Sequence, residues 1–212
     1  MAEHPHLLIA AIDVDEGTAA EFDRWYDEEH IPERAAVPGI GHIRRWRRLE
    51  GNLPASLVTY EVASAAVLES GPYAELKSRG DSPWTQRLRP HFRRLVRGVF
   101  RLEADRKGGD GPVRACAVAL TTVAPGDEAA YRGWYDQHGA LVAAVPGVVR
   151  LRRFERAEEP AHLTVVELTG PEVLTSESYA AAKDAAPGSE LRMRWQRQQG
   201  TYALRGPGAG EE

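Results

Sequence analysis

The sequence predicts an α+β protein made of two copies of one β-α-β-β-α-β unit, and three internal echoes predict it. Residues 22–39, FDRWYDEEHIPERAAVPG, return at 131–147 as YRGWYDQHGALVAAVPG, with a shared Trp-Tyr-Asp triplet, a histidine, an Ala-Ala pair and a Val-Pro-Gly stop. The ten residues from Gly39, GIGHIRRWRR, align without a gap on GVVRLRRFER from Gly147. Further on, Tyr73-Ala-x-x-Lys77 reappears as Tyr179-Ala-x-x-Lys183, and Arg97-Gly-Val-Phe-Arg-Leu as Gln199-Gly-Thr-Tyr-Ala-Leu. The separation falls from 109 residues at Trp25 and Trp134 to 102 at Arg97 and Gln199, so the second copy is shorter while the order of segments is unchanged. The chain reads as a tandem duplication, with repeats at 1–103 and 113–205.

In the first copy, residues 6–14 (HLLIAAIDV) are a short apolar run, the pattern of a buried strand. Gly17 and Thr18 mark a helix start, and Phe22, Trp25, Tyr26 and His30 recur at helical spacing, which predicts a helix over 18–30. Pro32 lacks an amide donor and clashes with the preceding turn. The helix is therefore expected to break near Ile31, leaving open carbonyls, and to restart with Pro32 in the first turn of a segment closed by Val37-Pro38-Gly39. Residues 40–49 and 55–63 read as a hairpin across Glu50-Gly51-Asn52, residues 65–77 and 84–95 as helices, and 96–103 as the last strand. Residues 104–112 (ADRKGGDGP) read as a polar linker. The second copy repeats the order: strand 113–123, helix 127–144, hairpin 148–168, helices 172–185 and 190–198, strand 200–205, and a disordered tail over 206–212. Each copy is thus expected to be a ferredoxin-like plait with helices on one face of its sheet.

Composition bounds the function classes. In 212 residues, 42% hydrophobic and 27% charged, no apolar run approaches the ~20 residues of a membrane span. No secretory signal is visible at the N-terminus, and a cytoplasmic location is expected. The single cysteine, Cys116, excludes an internal disulfide and a Cys-based zinc site, and its apolar run marks it as a buried small side chain. A formal net charge of −4 offers no general attraction to nucleic acid, and no metal-ligating motif accompanies the seven histidines.

The motif WYDEEHIPE, followed by a Val-Pro-Gly turn and an Arg-Arg-aromatic strand, resembles the EthD-like branch of the dimeric α/β-barrel superfamily, and the resemblance covers both halves. It implies that the two antiparallel sheets pack into one α/β barrel within a single chain. This agrees with the physics, since each sheet has a second face that the duplicate can bury. The superfamily includes polyketide cyclases, lactone isomerases, cofactor-free oxygenases and some haem enzymes.

His30 leads the candidate residues. Counting back in fours reaches Tyr26 and Phe22, so an imidazole, a phenol and a phenyl ring share one helical stripe, and a histidine can move a proton near neutral pH. With the resemblance, this predicts cofactor-independent acid/base chemistry (cyclisation, isomerisation or a related lyase step) on an aromatic or polyketide-like substrate. His30 serves as base or acid and Tyr26 as donor, while Phe22 and Trp25 form walls. The acids Asp27, Glu28, Glu29 and Glu33 surround His30 in the sequence. Asp27 and Glu33 stand three residues from it and are candidates to orient it, Glu33 being favoured, while a solvated helix face accounts for most of the four equally well. Alternation in the arginine-rich strand puts His42, Arg44 and Trp46 on one face as further substrate-binding candidates. The arginines of both copies are otherwise expected to form ion pairs between the halves with Glu61, Glu155 or Glu167. In the second copy Trp134, not a tyrosine, stands four residues before His138. That repeat is one residue shorter between tryptophan and histidine, so unless a bulge restores the phase its site lacks the phenol, and it is expected to be degenerate. The rival readings are a non-catalytic carrier of a hydrophobic metabolite and a haem protein with His30 or His138 as axial ligand. Either a monomeric barrel or a homodimer fits the sequence.

Overall fold

The computed structural model describes residues 4–156, 161–186 and 195–206. The first repeat comprises β1 (His6–Val14), α1 (Ala19–Trp25), a π-helical turn (Tyr26–His30), α2 (Ile31–Ala35), β2 (Ile40–Gly51), β3 (Ser56–Val62), α3 (Gly71–Ser78), α4 (Pro83–Leu88) and β4 (Phe92–Lys107). The second comprises β5 (Ala115–Thr122), α5 (Glu128–Ala143), β6 (Val148–Arg156), β7 (Ala161–Leu168), α6 (Glu177–Ala185) and β8 (Gln196–Leu204). The hydrogen-bonded strand order, β1-β3-β2-β8-β5-β7-β6-β4, closes into a barrel, the fold expected from two ferredoxin-like repeats.

By internal contacts the chain divides into two compact units. One holds the described residues up to Arg47, Pro54–Val99 and those from Arg205; the other holds Arg48–Leu53 and the described part of Phe100–Leu204. In the first unit β3 pairs antiparallel with β1 (His6↔Val62) and with β2 (Ile40↔Val62), and the β2 register slips between Ile40 and Ile43. In the second, β7 pairs in the same way with β5 (Ala115↔Leu168) and β6 (Val148↔Leu168), with a slip between Val148 and Arg150. The duplication has thus kept its bulge. It has also kept the glycine of each Val-Pro-Gly turn at positive φ, 88° at Gly39 and 89° at Gly147, where a side chain is strained. Phe22, Trp25, Tyr26, Tyr60 and Tyr73 join the apolar side chains of β1 and β3 in the core of the first unit.

Several boundaries differ from the sequence reading. Residues 92–95 open β4 and do not continue a helix; the 3-10 turn at Arg89–His91, built around Pro90, ends the helical run after Leu88. At the other end β4 carries on through Ala104–Lys107, the first part of the expected linker. Its register with β6 runs to Lys107↔Arg150, and Arg150 grips both oxygens of Asp105 at 2.6 and 2.8 Å, so polar residues pair there as strand. Residues 196–198, expected in a helix, begin β8; residues 190–194 of that expected helix and 207–212 of the expected tail lie outside the described residues. Cys116 is fully buried, as expected.

Candidate functional site

The site is set by what the helix does before Pro32. The expected break does not occur. Tyr26–His30 form a π turn, in which the amide of Ile31 donates to the carbonyl of Tyr26 five residues back, and α2 continues with Pro32 in its first turn. A proline at this point cannot donate to the carbonyl four residues earlier, and one wider turn absorbs the mismatch while the backbone stays helical.

That turn also corrects the expectation about the second repeat. Five residues separate Trp25 from His30 and four separate Trp134 from His138, and the π turn takes up the extra one. The two clusters therefore superpose chemically. Trp25 and His30 have ring centroids 4.4 Å apart, as do Trp134 and His138; Tyr26 meets His30 edge-on at 5.1 Å, and Tyr135 meets His138 edge-on at 5.7 Å. The second repeat keeps its phenol, supplied by Tyr135. The bulge that restores the phase lies in the first copy, a place where sequence counting at a fixed angle per residue could not find it.

In the first unit this cluster opens on a cavity of about 680 Å³, within the usual range for small-molecule pockets. Trp25, Tyr26, His30 and Glu33 line it, with Leu8, Ile12 and Ile40 as apolar wall and Tyr60 and Tyr73 as further phenols. Phe22 stands behind, edge-on to Tyr26 at 4.9 Å and to Phe92 at 5.6 Å, and shapes the wall without reaching the space. Burial, with the cations Arg34 and Arg97 adding to it, pushes the His30 imidazole down to about 3, so it is neutral at physiological pH. Burial pushes Tyr26 up to about 12 against the opposing pull of Arg45 and Arg34, and burial raises Tyr60 as well. Both phenols keep their protons. The site thus offers a neutral imidazole beside hydrogen-bond donors, with guanidinium groups at hand.

The other candidates are placed differently. Glu33 reaches Arg34 at 3.1 Å. Asp27 accepts from Arg45 at 2.6 Å, and Asp23 pairs with both Arg45 and Arg205. The arginine strand therefore contributes through Arg45, whose guanidinium lies 4.9 Å from the Tyr26 ring, and not through Arg44. His42, Arg44 and Trp46 lie on the opposite face of β2: His42 is exposed, and the buried Trp46 donates its indole N–H to Thr59 at 3.0 Å. None of the three lines the cavity. The register explains this, because Thr59 and Tyr60 are neighbours on β3 and so face opposite ways. In the second unit Arg153 repeats the role of Arg45, 3.4 Å from Asp136 and 5.9 Å from the Tyr135 ring, while Arg152 pairs with Glu167 at 2.8 Å inside its own repeat and not across the halves as expected.

Glu29, one of four acids that the sequence named without ranking it above the others, is built into the site. It lines the cavity and accepts from the Trp25 indole at 2.9 Å, Ser82 at 2.6 Å and Thr85 at 3.2 Å, so it ties the π turn to the start of α4. The local signal was half present, since Ser82 before Pro83 is an N-cap and accepts from the Thr85 amide at 3.0 Å. Its partner, 53 residues earlier in the chain, left no trace in local pattern.

No protein-family profile and no curated protein matches the chain. Solved structures do match its fold. An anthrone oxidase-like protein aligns over 97% of this chain and 92% of its own, with TM-score 0.68 and 12% identity. A chlorite dismutase from Candidatus Nitrospira defluvii aligns over 95% and 92%, with TM-score 0.62 and 12% identity. A ferredoxin fold protein related to antibiotic biosynthesis monooxygenases, from Listeria monocytogenes, aligns over 96% of each chain, with TM-score 0.51 and 8% identity. At these identities the likeness is one of fold: this chain folds as a ferredoxin-like α/β barrel.

Proposed function

We propose that the first repeat is a small-molecule enzyme site of the EthD-like kind. It carries out cofactor-independent proton transfer, in a cyclisation, isomerisation or related lyase step, on an aromatic or polyketide-like substrate. The observation that carries the reading is the pairing of a neutral imidazole, His30, with a protonated phenol, Tyr26, on the wall of one cavity large enough for such a substrate. His30 takes the proton from a carbon next to a carbonyl. The released electron pair moves onto the carbonyl oxygen, and the Tyr26 hydroxyl donates to the enolate that forms. Return of the proton from His30 to a different carbon completes an isomerisation. The resting imidazole starts as the base, since its surroundings suppress the imidazolium.

The test begins with native mass spectrometry of the protein purified from its own host, which identifies a retained ligand and so a substrate. On that substrate His30→Ala is expected to lower kcat/KM by ~10²–10⁴-fold, the usual contribution of a positioned base. A rate within a few-fold of the unaltered protein overturns the reading and leaves a carrier.

One observation favours a second reading. A neutral imidazole is the form that ligates iron, and Arg34 and Arg97 beside it suit the propionates of a haem. The residues fit the group: the His30 imidazole would hold the iron, and Arg34 and Arg97 would hold the carboxylates. Bound haem would supply oxidative chemistry to the same cavity.

A further inference from the structure

The lining of the first-repeat cavity is lopsided in charge. Among the described residues that line it, five cationic side chains face three carboxylates, Glu29, Glu33 and Asp81. Two of those carboxylates are engaged at the α4 end, Glu29 by Trp25, Ser82 and Thr85, and Asp81 by Arg89. A second polar cluster is built around Tyr73. There the Arg34 guanidinium lies 5.8 Å and the Lys77 ammonium 5.4 Å from the Tyr73 ring centroid, and Arg97 donates to the Tyr73 hydroxyl at 3.4 Å. Glu33, the remaining carboxylate, bonds Arg34 at 3.1 Å and has 41% of its side chain exposed, so water screens it. The Tyr60 hydroxyl also lines this space. It interacts with the Tyr26 hydroxyl and, on a residue only 2% exposed, shows no other hydrogen-bond partner among the described residues. A buried hydroxyl can both donate and accept, so a ligand in the cavity can use the remaining capacity.

The duplication supplies an internal control. The second repeat keeps the aromatic cluster as Trp134, Tyr135 and His138, and it keeps Tyr179 and Lys183. It does not keep the donors. Arg34 aligns with Val142 on the shared Ala-Ala-Val-Pro-Gly, Arg97 aligns with Gln199, and Tyr60 aligns with Val166 by the strand register that matches Val62 to Leu168. Valine satisfies the packing at two of these positions in the same fold, so packing alone does not call for Arg34 or Tyr60.

We infer that the Tyr73 cluster of the first-repeat cavity binds a carboxylate on an aromatic ligand. Arg34, Arg97 and the Tyr60 hydroxyl donate to it, and the organic body lies along Leu8, Ile12 and Ile40. The inference rests on the reading of this cavity as the substrate site and names the substrate as an acid. The carboxylate has two possible sources, a free aromatic acid or a porphyrin propionate.

The test is calorimetric titration of the full chain with 2-naphthoate and with its neutral counterpart, 2-naphthamide. The unaltered protein is expected to bind the acid at least about tenfold more tightly, the effect of one charge-assisted hydrogen bond or more. The double variant Arg34→Val with Arg97→Gln carries the residues of the second repeat. It should lose that preference while its affinity for the amide stays the same. Tyr60→Phe removes one oxygen and should narrow the preference by about threefold. Equal affinity for acid and amide, binding of neither up to millimolar concentration, or a preference retained in a double variant with native circular dichroism would each overturn the inference. Haemin separates the sources. A Soret shift that His30→Ala abolishes, with displacement of naphthoate, marks a propionate; naphthoate binding without any haemin effect marks a free acid. The two readings also fail separately. Equal affinity for acid and amide in the unaltered protein retires the subsite without bearing on the His30→Ala comparison, and an active His30→Ala enzyme that still prefers the acid retires the base while keeping the subsite.

Discussion

If His30 is held neutral by burial and by Arg34 and Arg97, the protein carries an acid-sensitive element that can be measured without knowing the substrate. The imidazole sits at about 3 in the folded state against about 6.5 in an unfolded chain. Between those values the unfolded chain binds a proton that the folded one refuses, so stability from this group is complete above about pH 6.5 and falls as the pH drops. At pH 5 the difference is about 1.5 pH units below the unfolded value, or ~2 kcal/mol at 1.36 kcal/mol per unit. That is a sizeable part of the 5–15 kcal/mol typical of a folded domain. His30→Gln keeps a polar side chain of similar size without the titration. Guanidinium denaturation of both proteins at pH 7.5 and pH 5 gives a double difference in which all other titrating groups cancel. The unaltered protein should lose ~2 kcal/mol more than the variant. A double difference below ~0.5 kcal/mol would mean that His30 accepts a proton freely, and the picture of a neutral base beside two guanidinium groups would be refuted.

Two further predictions concern the scaffold that holds the site. Arg45→Met removes the buried cation that binds Asp23 and Asp27 and lies over Tyr26; since Asp27 then loses its 2.6 Å partner, urea denaturation should show a loss of ~2–3 kcal/mol, and a change under ~0.5 kcal/mol would show the ion pair to be dispensable. Gly39→Ala and Gly147→Ala each place a side chain at positive φ and 2.7 or 2.5 Å from a valine methyl, of Val67 or Val173, so each should cost ~1–3 kcal/mol, whereas a pair of neutral substitutions would contradict the turn geometry.

Much of this architecture was written in the sequence twice, which is why it could be read. The repeated Trp-Tyr-Asp, the Val-Pro-Gly turns and the alternating strands fixed two β-α-β-β-α-β units, and the need of each sheet to cover a second face pointed to the closed barrel. The stripe through Phe22, Tyr26 and His30 was legible because helical neighbours recur at a known spacing, and the structure brings those rings together. The sequence could not show that the turn before Pro32 is a π turn. That outcome depends on the carbonyls finding amides five residues on, and it reversed the expected loss of the phenol in the second repeat. Nor could alternation alone say which face of β2 looks toward the helices. The slip between Ile40 and Ile43 intervenes, and it put Arg45 against Tyr26 while turning His42, Arg44 and Trp46 away. Tyr60, Ser82 and Arg97 meet Glu29 and His30 around one cavity from segments distant in the chain. Periodicity within one element is a local property of the chain, and the sequence determined what was local. The convergence of separate elements on a cavity, with the burial that sets the protonation of His30 and Tyr26, is a property of packing, and the tertiary structure alone decided it.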